Sequence, residues 1–147
     1  MSAALVPRFM LSILAGAQGL GSLVIDLNKT HATNPRWPGH ARFHVVWQSW
    51  SSFVAAVPAV ALVWWGGPQD RWRFYLAAVF TSVPMVGFIV AALLRGWFGA
   101  TFHDANGILP WRFRLSGREF SCDGNAVMID VGLTVLAVAV LLFHYAT

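Results

Sequence analysis

Four long apolar runs, separated by polar connectors, restrict the fold of this chain more than any other feature of its sequence. They cover residues 9–25, 45–65, 74–94 and 127–145. Each run approaches the roughly 20 residues that an α-helix needs to cross the hydrocarbon core of a bilayer. Because backbone hydrogen bonds cannot be left open in lipid, the runs are predicted to be helices. We therefore expect an all-α, integral membrane four-helix bundle.

The composition agrees with a lipid environment. Charged residues make up 11% of the 147 residues, whereas a typical soluble domain contains about 25%. One domain, residues 1–147, accounts for this length. The net charge of +4 comes from few Lys and Arg residues, which lie in the connectors and form no long basic face. The expected partner is therefore the lipid bilayer, and nucleic acid is not expected.

The orientation of the bundle follows from two connectors, loop one (residues 26–44) and loop three (residues 95–126). They hold most of the basic residues, namely Lys29, Arg36, Arg42, Arg95, Arg112, Arg114 and Arg118. The opposite side holds Arg8, Arg71 and Arg73. The positive-inside rule predicts that loops one and three are cytoplasmic and that both termini lie outside.

The first run also has features of a signal peptide. Its apolar residues continue past the small-residue site at which a signal peptide would be cleaved, so a retained helix is expected.

Polar side chains are predicted to gather where loops one and three emerge. His31, His40, His44 and His103 all lie in these two connectors. His40, His44 and Gln48 recur every four residues, so they share one face of the second helix. We expect that face to point into the bundle. Arg42 is then predicted to point elsewhere, toward a phosphate group.

Two further helices carry polar stripes with the same spacing. The first has Gln18, Ser22 and Asp26, and the fourth has Asp130 and Thr134. An acidic residue within a span costs about 2.5–3.5 kcal/mol on insertion scales, so it normally faces the interior and has a partner. Both stripes are therefore predicted to face the bundle interior.

The first helix also carries three glycines. Gly16, Gly19 and Gly21 lie within a few residues of one another. Small residues let the backbones of membrane helices approach closely. The sequence therefore predicts that a second helix packs tightly against this segment.

Three chemical interpretations of the polar cluster remain open. Acid–base catalysis on a lipid-like substrate would use His40, His44, Asp26, His103 and Asp104. The residues expected around a ligand are Gln48, Asp130, Trp37, Asn34 and Arg42. A transition-metal site would use His31, His40, His44 and His103, because two histidines four residues apart on a helix can bind one metal. A purely structural interpretation pairs Asp26 with Arg42 or Lys29 and assigns the histidines to helix ends and headgroups.

The functional prediction combines these interpretations. We expect a membrane-embedded enzyme or ligand-binding protein that acts on a hydrophobic small molecule through a His/Asp cluster, with a transition metal as one option. The alternative is a non-enzymatic accessory subunit of a larger membrane complex, and a homo-oligomer is also open. Haem is disfavoured because only His44 lies at a useful depth. The motif HARFH lacks the glutamate of H-E-x-x-H, so zinc-peptidase chemistry is not supported.

A short repeat links the two connectors. His31 and Asn34 form an H-x-x-N element in loop one, and His103 and Asn106 form another in loop three. A proline and a tryptophan follow each element. A duplicated helix pair would produce this pattern, and binding sites often form between such repeats.

The segment DLNKTHATNPRWPGHARFH, residues 26–44, resembles the signature T-H-x-x-N-P-x-W-P-x-H-A-(R/K)-F-H of a family of small polytopic membrane proteins of unassigned function. The resemblance implies that residues 30–44 act as one unit, and it implies no reaction. The architecture is also weakly similar to that of four-helix sterol isomerases and sigma-2-receptor-like proteins, which bind sterol-like ligands within their bundle. None of their acidic active-site residues aligns with this chain.

Overall fold

The structure, a computed structural model, describes residues 3–147, which form four long helices and one short hairpin. The helices are α1 (Leu5–Asp26), α2 (Gly39–Trp64), α3 (Asp70–Leu94) and α4 (Gly124–Ala146). All four are long and apolar enough to span a membrane. The prediction of an all-α, four-helix integral membrane bundle is confirmed. Each helix begins a few residues before its apolar run.

The helices form a bundle in which α1 packs against both α2 and α4, while α3 packs between α2 and α4 on the other side. The closest approach is between α1 and α2 at Gly19. A Cβ atom added there would lie 2.8 Å from the Ala56 Cβ and 3.2 Å from the Phe53 Cα. Gly16 and Gly21 have no atoms within 4 Å of such a Cβ. The predicted close approach therefore depends on one of the three glycines, and the prediction was wrong for the other two.

A cluster of buried hydrophobic residues lies at the end of the bundle farther from loops one and three. The rings of Phe74 and Phe143 stack there with centroids 3.7 Å apart. Arg8 is largely buried beside them, with its guanidinium 5.4 Å from the centre of the Phe143 ring. It donates hydrogen bonds to the Val63 carbonyl and forms an ion pair with Asp70. The first residues of α1 and α3 are thus joined through one side chain.

Loss of this side chain should destabilise the bundle. Arg8→Ala is expected to lower the free energy of unfolding by about 2 kcal/mol, because the Asp70 carboxylate and the Val63 carbonyl both lose their donor. Thermal unfolding in a mild detergent measures the change. Lys29→Ala is the control, since it removes the same charge from an exposed position. Equal unfolding midpoints for the two variants would contradict the assigned role of Arg8.

The hairpin lies directly before α4 and was not predicted, because residues 95–126 were treated as a loop. Strand β1 (Trp111–Leu115) pairs antiparallel with β2 (Arg118–Cys122). Its two turn residues, Ser116 and Gly117, have φ angles of 51° and 78°. Two successive positive φ values are typical of the type I′ turn that matches the twist of a two-stranded ribbon.

The hairpin has one apolar and one polar face. The register places Phe113 opposite Phe120, and their rings stack with centroids 5.6 Å apart. On the other face, Arg114 is opposite Glu119 and forms an ion pair with it at 2.8 Å. Trp111, Phe113, Leu115 and Phe120 are all exposed in the single chain. The hairpin therefore offers an uncovered apolar surface beside the membrane end of α4.

Candidate functional site

Loops one and three meet at one end of the bundle, as predicted from the even number of spans between them. Asn34 is buried at 3% exposure, and its side-chain nitrogen donates to the Asn106 backbone carbonyl at 2.5 Å. The Arg36 guanidinium donates to the Asn106 side-chain oxygen at 3.0 Å. The two H-x-x-N elements thus contact each other through their asparagines. The cytoplasmic location of this end stays a prediction.

Loop one is held on the end of α1 by Asn28. Its side-chain nitrogen donates to the backbone carbonyls of Val24 and Ile25, at 3.0 and 2.9 Å. Because carbonyl oxygens only accept hydrogen bonds, this contact identifies which end of the amide carries the nitrogen. The Asn28 oxygen therefore faces Thr30, and it accepts from the Thr30 backbone N–H and hydroxyl, each at 2.8 Å.

This arrangement determines the tautomer of His31. The Thr30 hydroxyl has one hydrogen, and the Asn28 oxygen beside it can only accept. The Thr30 oxygen must then accept from Nδ1–H of His31, which lies 2.8 Å away. A neutral imidazole with its hydrogen on Nδ1 has a free lone pair on Nε2. Within residues 3–147, no hydrogen-bond partner contacts Nε2, so in the neutral form this lone pair is free.

Asp26 lies beside this histidine at the last position of α1. One of its carboxylate oxygens is 3.9 Å from His31 Nδ1, and each side chain is 18% exposed. The other oxygen accepts from the hydroxyl of the buried Ser49 of α2, at 2.9 Å. The partners of Asp26 are therefore His31 and Ser49. The pairing with Arg42 or Lys29 that a structural interpretation predicted does not occur among the ion pairs of the described chain.

Two cavities adjoin at His31. The inner cavity, of about 360 Å³, lies between the helices and has Gln18, Ser22, Asp26, Gln48 and Asn125 among its lining residues. The outer cavity, of about 240 Å³, lies under the loops, where its lining includes Trp37, His103 and Asp104. His31 and Asn125 line both cavities. The imidazole thus stands between a chamber within the bundle and a polar space at its surface.

A lateral groove of about 440 Å³ opens from the inner cavity between α2 and α3. The groove and the inner cavity share Gln48, Ser52, Pro84 and Phe88. Beyond these residues, the groove is lined mostly by small or apolar side chains, namely Ser51, Ala55, Val83, Gly87 and Ala91. The inner cavity is therefore adjacent to the surface that faces lipid.

The predicted inward orientation of helix two was wrong for His40 and His44, whereas Gln48 of the same stripe does line the inner cavity. His40 and His44 are exposed and line neither the inner nor the outer cavity. Their Nε2 atoms lie 3.0 Å apart on the outer face of α2. Arg42, predicted to point away, is instead half-buried, and its Nε–H is buried with no hydrogen-bond partner in the described chain. The inward face of α2 is that of Val45 and Ser49. Val45 follows His44 by one residue, so this face is rotated by about 100° around the helix from that of His44.

The predicted four-histidine metal set is not assembled. His40 and His44 form one pair on the outside of α2, whereas His31 and His103 line the outer cavity. Across residues 3–147, no group of three or more His, Cys, Asp or Glu side chains is placed to hold one metal ion. The histidines lie in two separate places because His40 and His44 are on the exposed side of α2.

The remaining predicted residues lie in three places. Gln48 lines the inner cavity, and Trp37 lines the outer cavity with its ring 5.0 Å from that of His31, edge to face. The Asp104 carboxylate accepts from the Asn106 backbone N–H at 2.6 Å, so it shapes the turn of loop three. Asp130 is exposed on the outer face of α4, away from both cavities, and the prediction that its stripe faces inward was wrong.

Comparisons with known proteins identify no relative of this chain. No family model, no curated protein and no solved structure matches it. The resemblance to the signature family and the similarity to sterol isomerases therefore stay predictions. Any functional conclusion has to come from the geometry of the site.

Proposed function

We propose that the chain is a membrane-embedded protein that binds a hydrophobic small molecule with one polar end and acts on that end by acid–base chemistry. The observation that carries the proposal is that His31 lines both cavities while the Thr30 hydroxyl holds its Nδ1, which leaves Nε2 without a partner in the described chain. The central residues become His31, Asp26 and Thr30. Gln48 and Asn125 are placed to contact the ligand.

The Asp26–His31 pair has the parts that proton transfer needs. Nε2 of His31 accepts a proton from the ligand, and the Asp26 carboxylate stabilises the imidazolium that forms. Thr30 keeps the ring in the required tautomer through its hydrogen bond to Nδ1. Proton removal and return at neighbouring atoms suits an isomerisation, a dehydration or a cyclisation. The outer cavity, with His103 and Asp104, gives the proton a polar route to the membrane surface.

The lateral groove favours a ligand that comes from the bilayer. Ser51, Ala55, Gly87 and Ala91 leave space between α2 and α3 that an apolar chain can fill. The polar atoms of the site lie at the loop end of that space, near the membrane surface. An amphiphile entering between the helices would keep its apolar part level with the lipid chains and present its polar end to His31.

The test compares the cavity histidine with the outward pair. A fatty acid, a sterol and an isoprenoid alcohol serve as probes, and binding is measured by thermal stabilisation of the purified chain. We expect at least one probe to stabilise the wild type. His31→Gln and Asp26→Asn should each weaken its binding about tenfold, because the first removes the acceptor at Nε2 and the second removes the carboxylate beside that ring, a loss of about one hydrogen bond. His40→Ala/His44→Ala is the matched control and should bind like the wild type.

Two results would contradict the proposal. One is that none of the three probes stabilises the wild type. The other is that the outward double variant loses binding while the His31 variant keeps it. Either result would show that the inner cavity beside His31 is not the ligand-binding site.

The second candidate function is that of an accessory subunit in a larger membrane complex. The hairpin favours it, since Trp111, Phe113, Leu115 and Phe120 form an apolar face that the single chain leaves exposed. Purification from native membranes in a mild detergent separates the two candidates. A stoichiometric protein partner that is lost in Phe113→Ser/Phe120→Ser would support the subunit role, and the absence of any such partner would count against it.

A further inference from the structure

Asp130 is an acidic side chain that faces away from the bundle at membrane depth. It lies six residues into α4, about 9 Å from the start of the helix at 1.5 Å per residue. A span of roughly 20 residues that ends near Tyr145 already includes this position. The side chain is exposed, and its carboxylate has no ion pair or hydrogen bond within residues 3–147. The Thr134 hydroxyl contacts only the Asp130 backbone carbonyl.

The outer face of α2 carries the complementary group. His40 and His44 are exposed there, and their Nε2 atoms share one hydrogen across 3.0 Å. Apart from this mutual bond, neither ring has a hydrogen-bond partner in the part of the chain that the structure describes. Imidazole N–H groups donate, whereas a carboxylate only accepts. A charged or polar group at this depth normally has a partner within the membrane.

The two groups lie at the same level of the membrane but on opposite sides of the molecule. The inner cavity is lined by Val45 of α2 and Ile129 of α4, which are the chain neighbours of His44 and Asp130. Helices α2 and α4 occupy the long diagonal of the bundle, since each packs mainly on α1 and α3. Asp130 and the histidine pair of one chain therefore cannot meet.

We propose that a second copy of the chain brings them together, with Asp130 on α4 of one copy bound to the His40–His44 pair on α2 of the next. The contact joins two different surfaces, so it is heterologous and generates a ring or an open row of copies. A second copy fits this surface because Asp130 and the histidine pair lie at the same depth and because the carboxylate accepts the hydrogen bonds that the imidazoles donate. None of the three residues lines a cavity, so the proposal stands apart from the proposed function.

A mixing experiment tests the two surfaces separately. The wild type, purified in mild detergent and weighed by light scattering, should form assemblies of two or more copies. Asp130→Asn alone and His40→Ala/His44→Ala alone should be monomeric. Their equimolar mixture should contain heterodimers and nothing larger, because each variant keeps one intact surface. His144→Ala, which changes an exposed histidine at the far end of the bundle, is the control and should assemble like the wild type.

Disulfide trapping in native membranes gives an independent readout. Cys122 is the single cysteine, so Cys122→Ser provides a cysteine-free background. A mixture of Thr134→Cys and Trp47→Cys chains, which keep Asp130 and both histidines and change exposed neighbours of these groups, should form a crosslinked dimer on mild oxidation, while either chain alone should not.

The proposal is overturned if the wild type is monomeric in both the detergent and the trapping experiments. It is also overturned if each variant alone assembles like the wild type, or if the mixed variants stay monomeric. Efficient crosslinking of Thr134→Cys with itself would indicate a two-fold symmetric contact and would likewise overturn it. In each case, the binding of probes to the inner cavity should be unchanged, which separates this result from a failure of the proposed function.

Discussion

Asn34→Asp is expected to lower the free energy of unfolding by about 3 kcal/mol, although it exchanges a single NH₂ group for an oxygen. The Asn34 nitrogen donates to the backbone carbonyls of Asn106 and Thr30, at 2.5 and 3.4 Å. In the aspartate variant, a carboxylate oxygen would face these two carbonyls. The site is 97% buried, so water cannot screen the repulsion. The other carboxylate oxygen would keep the Arg36 backbone N–H as its donor, but one hydrogen bond does not offset the burial of a charge beside two carbonyl oxygens.

Asn106→Asp is the matched control for this change. The Asn106 side-chain oxygen accepts from the Arg36 guanidinium, and its residue is exposed. A carboxylate at that position keeps the acceptor and adds a charge opposite to that of Arg36. Thermal unfolding should therefore show a large loss for Asn34→Asp and little change, or a small gain, for Asn106→Asp.

Hydrogen exchange of the purified variants adds a local measurement. Because Asn34 joins loops one and three, Asn34→Asp should speed exchange in loop three beside the outer cavity. Equal stability of the two aspartate variants, or unchanged exchange in loop three, would show that this hydrogen bond does not hold the loops together.

The predictable part of the site was its location, because that follows from the number of spans. Two helices separate loop one from loop three, so both had to emerge at one end, and Asn34 and Asn106 do meet there. The apolar runs predicted the four helices for the same reason, since hydrocarbon leaves the backbone few alternatives. These conclusions depend on length and hydrophobicity, which the sequence shows directly.

The orientation of α2 could not be predicted in the same way. The rule that polar groups face the interior assumes that only the bundle can satisfy them, whereas His40 and His44 lie in the first two turns of α2, where headgroups or another chain can also do so. Ser49, which binds Asp26, sits on the true inward face. A serine in a membrane helix is too common to stand out, so the sequence offered no signal for it.

The hairpin, in contrast, has a clear signal in the sequence. The segments WRFRL and REFSC alternate between apolar and polar residues, and Ser116-Gly117 lies between them. Alternation around a two-residue glycine turn is the usual pattern of a β-hairpin. The tautomer of His31 had no such signal, because it depends on the three-dimensional contacts of Asn28 and Thr30.

Gly19→Val is expected to destabilise the bundle by about 3 kcal/mol, because the seam between α1 and α2 has no space for a side chain at this position. Even the first added carbon would lie 2.8 Å from the Ala56 Cβ and 3.2 Å from the Phe53 Cα. Neither atom is the flexible end of a side chain, so the helices themselves must move apart, and overpacking of this kind typically costs 1–3 kcal/mol or more.

Gly16→Val and Gly21→Val separate the effect of this seam from the effect of valine itself. Both positions lie on the same helix, and an added Cβ at either has no atom within 4 Å. All three variants carry the same conformational change in the unfolded chain and the same β-branched side chain in the helix, so any excess loss of stability at Gly19 comes from the contact with α2.

The separation of the helices should also disturb Ser22, whose hydroxyl donates to the Ser49 carbonyl at 3.3 Å one turn along the seam. Because Ser49 in turn binds Asp26, Gly19→Val should weaken probe binding as well as stability, and equal midpoints for all three variants would show that α1 and α2 are not held together at this glycine.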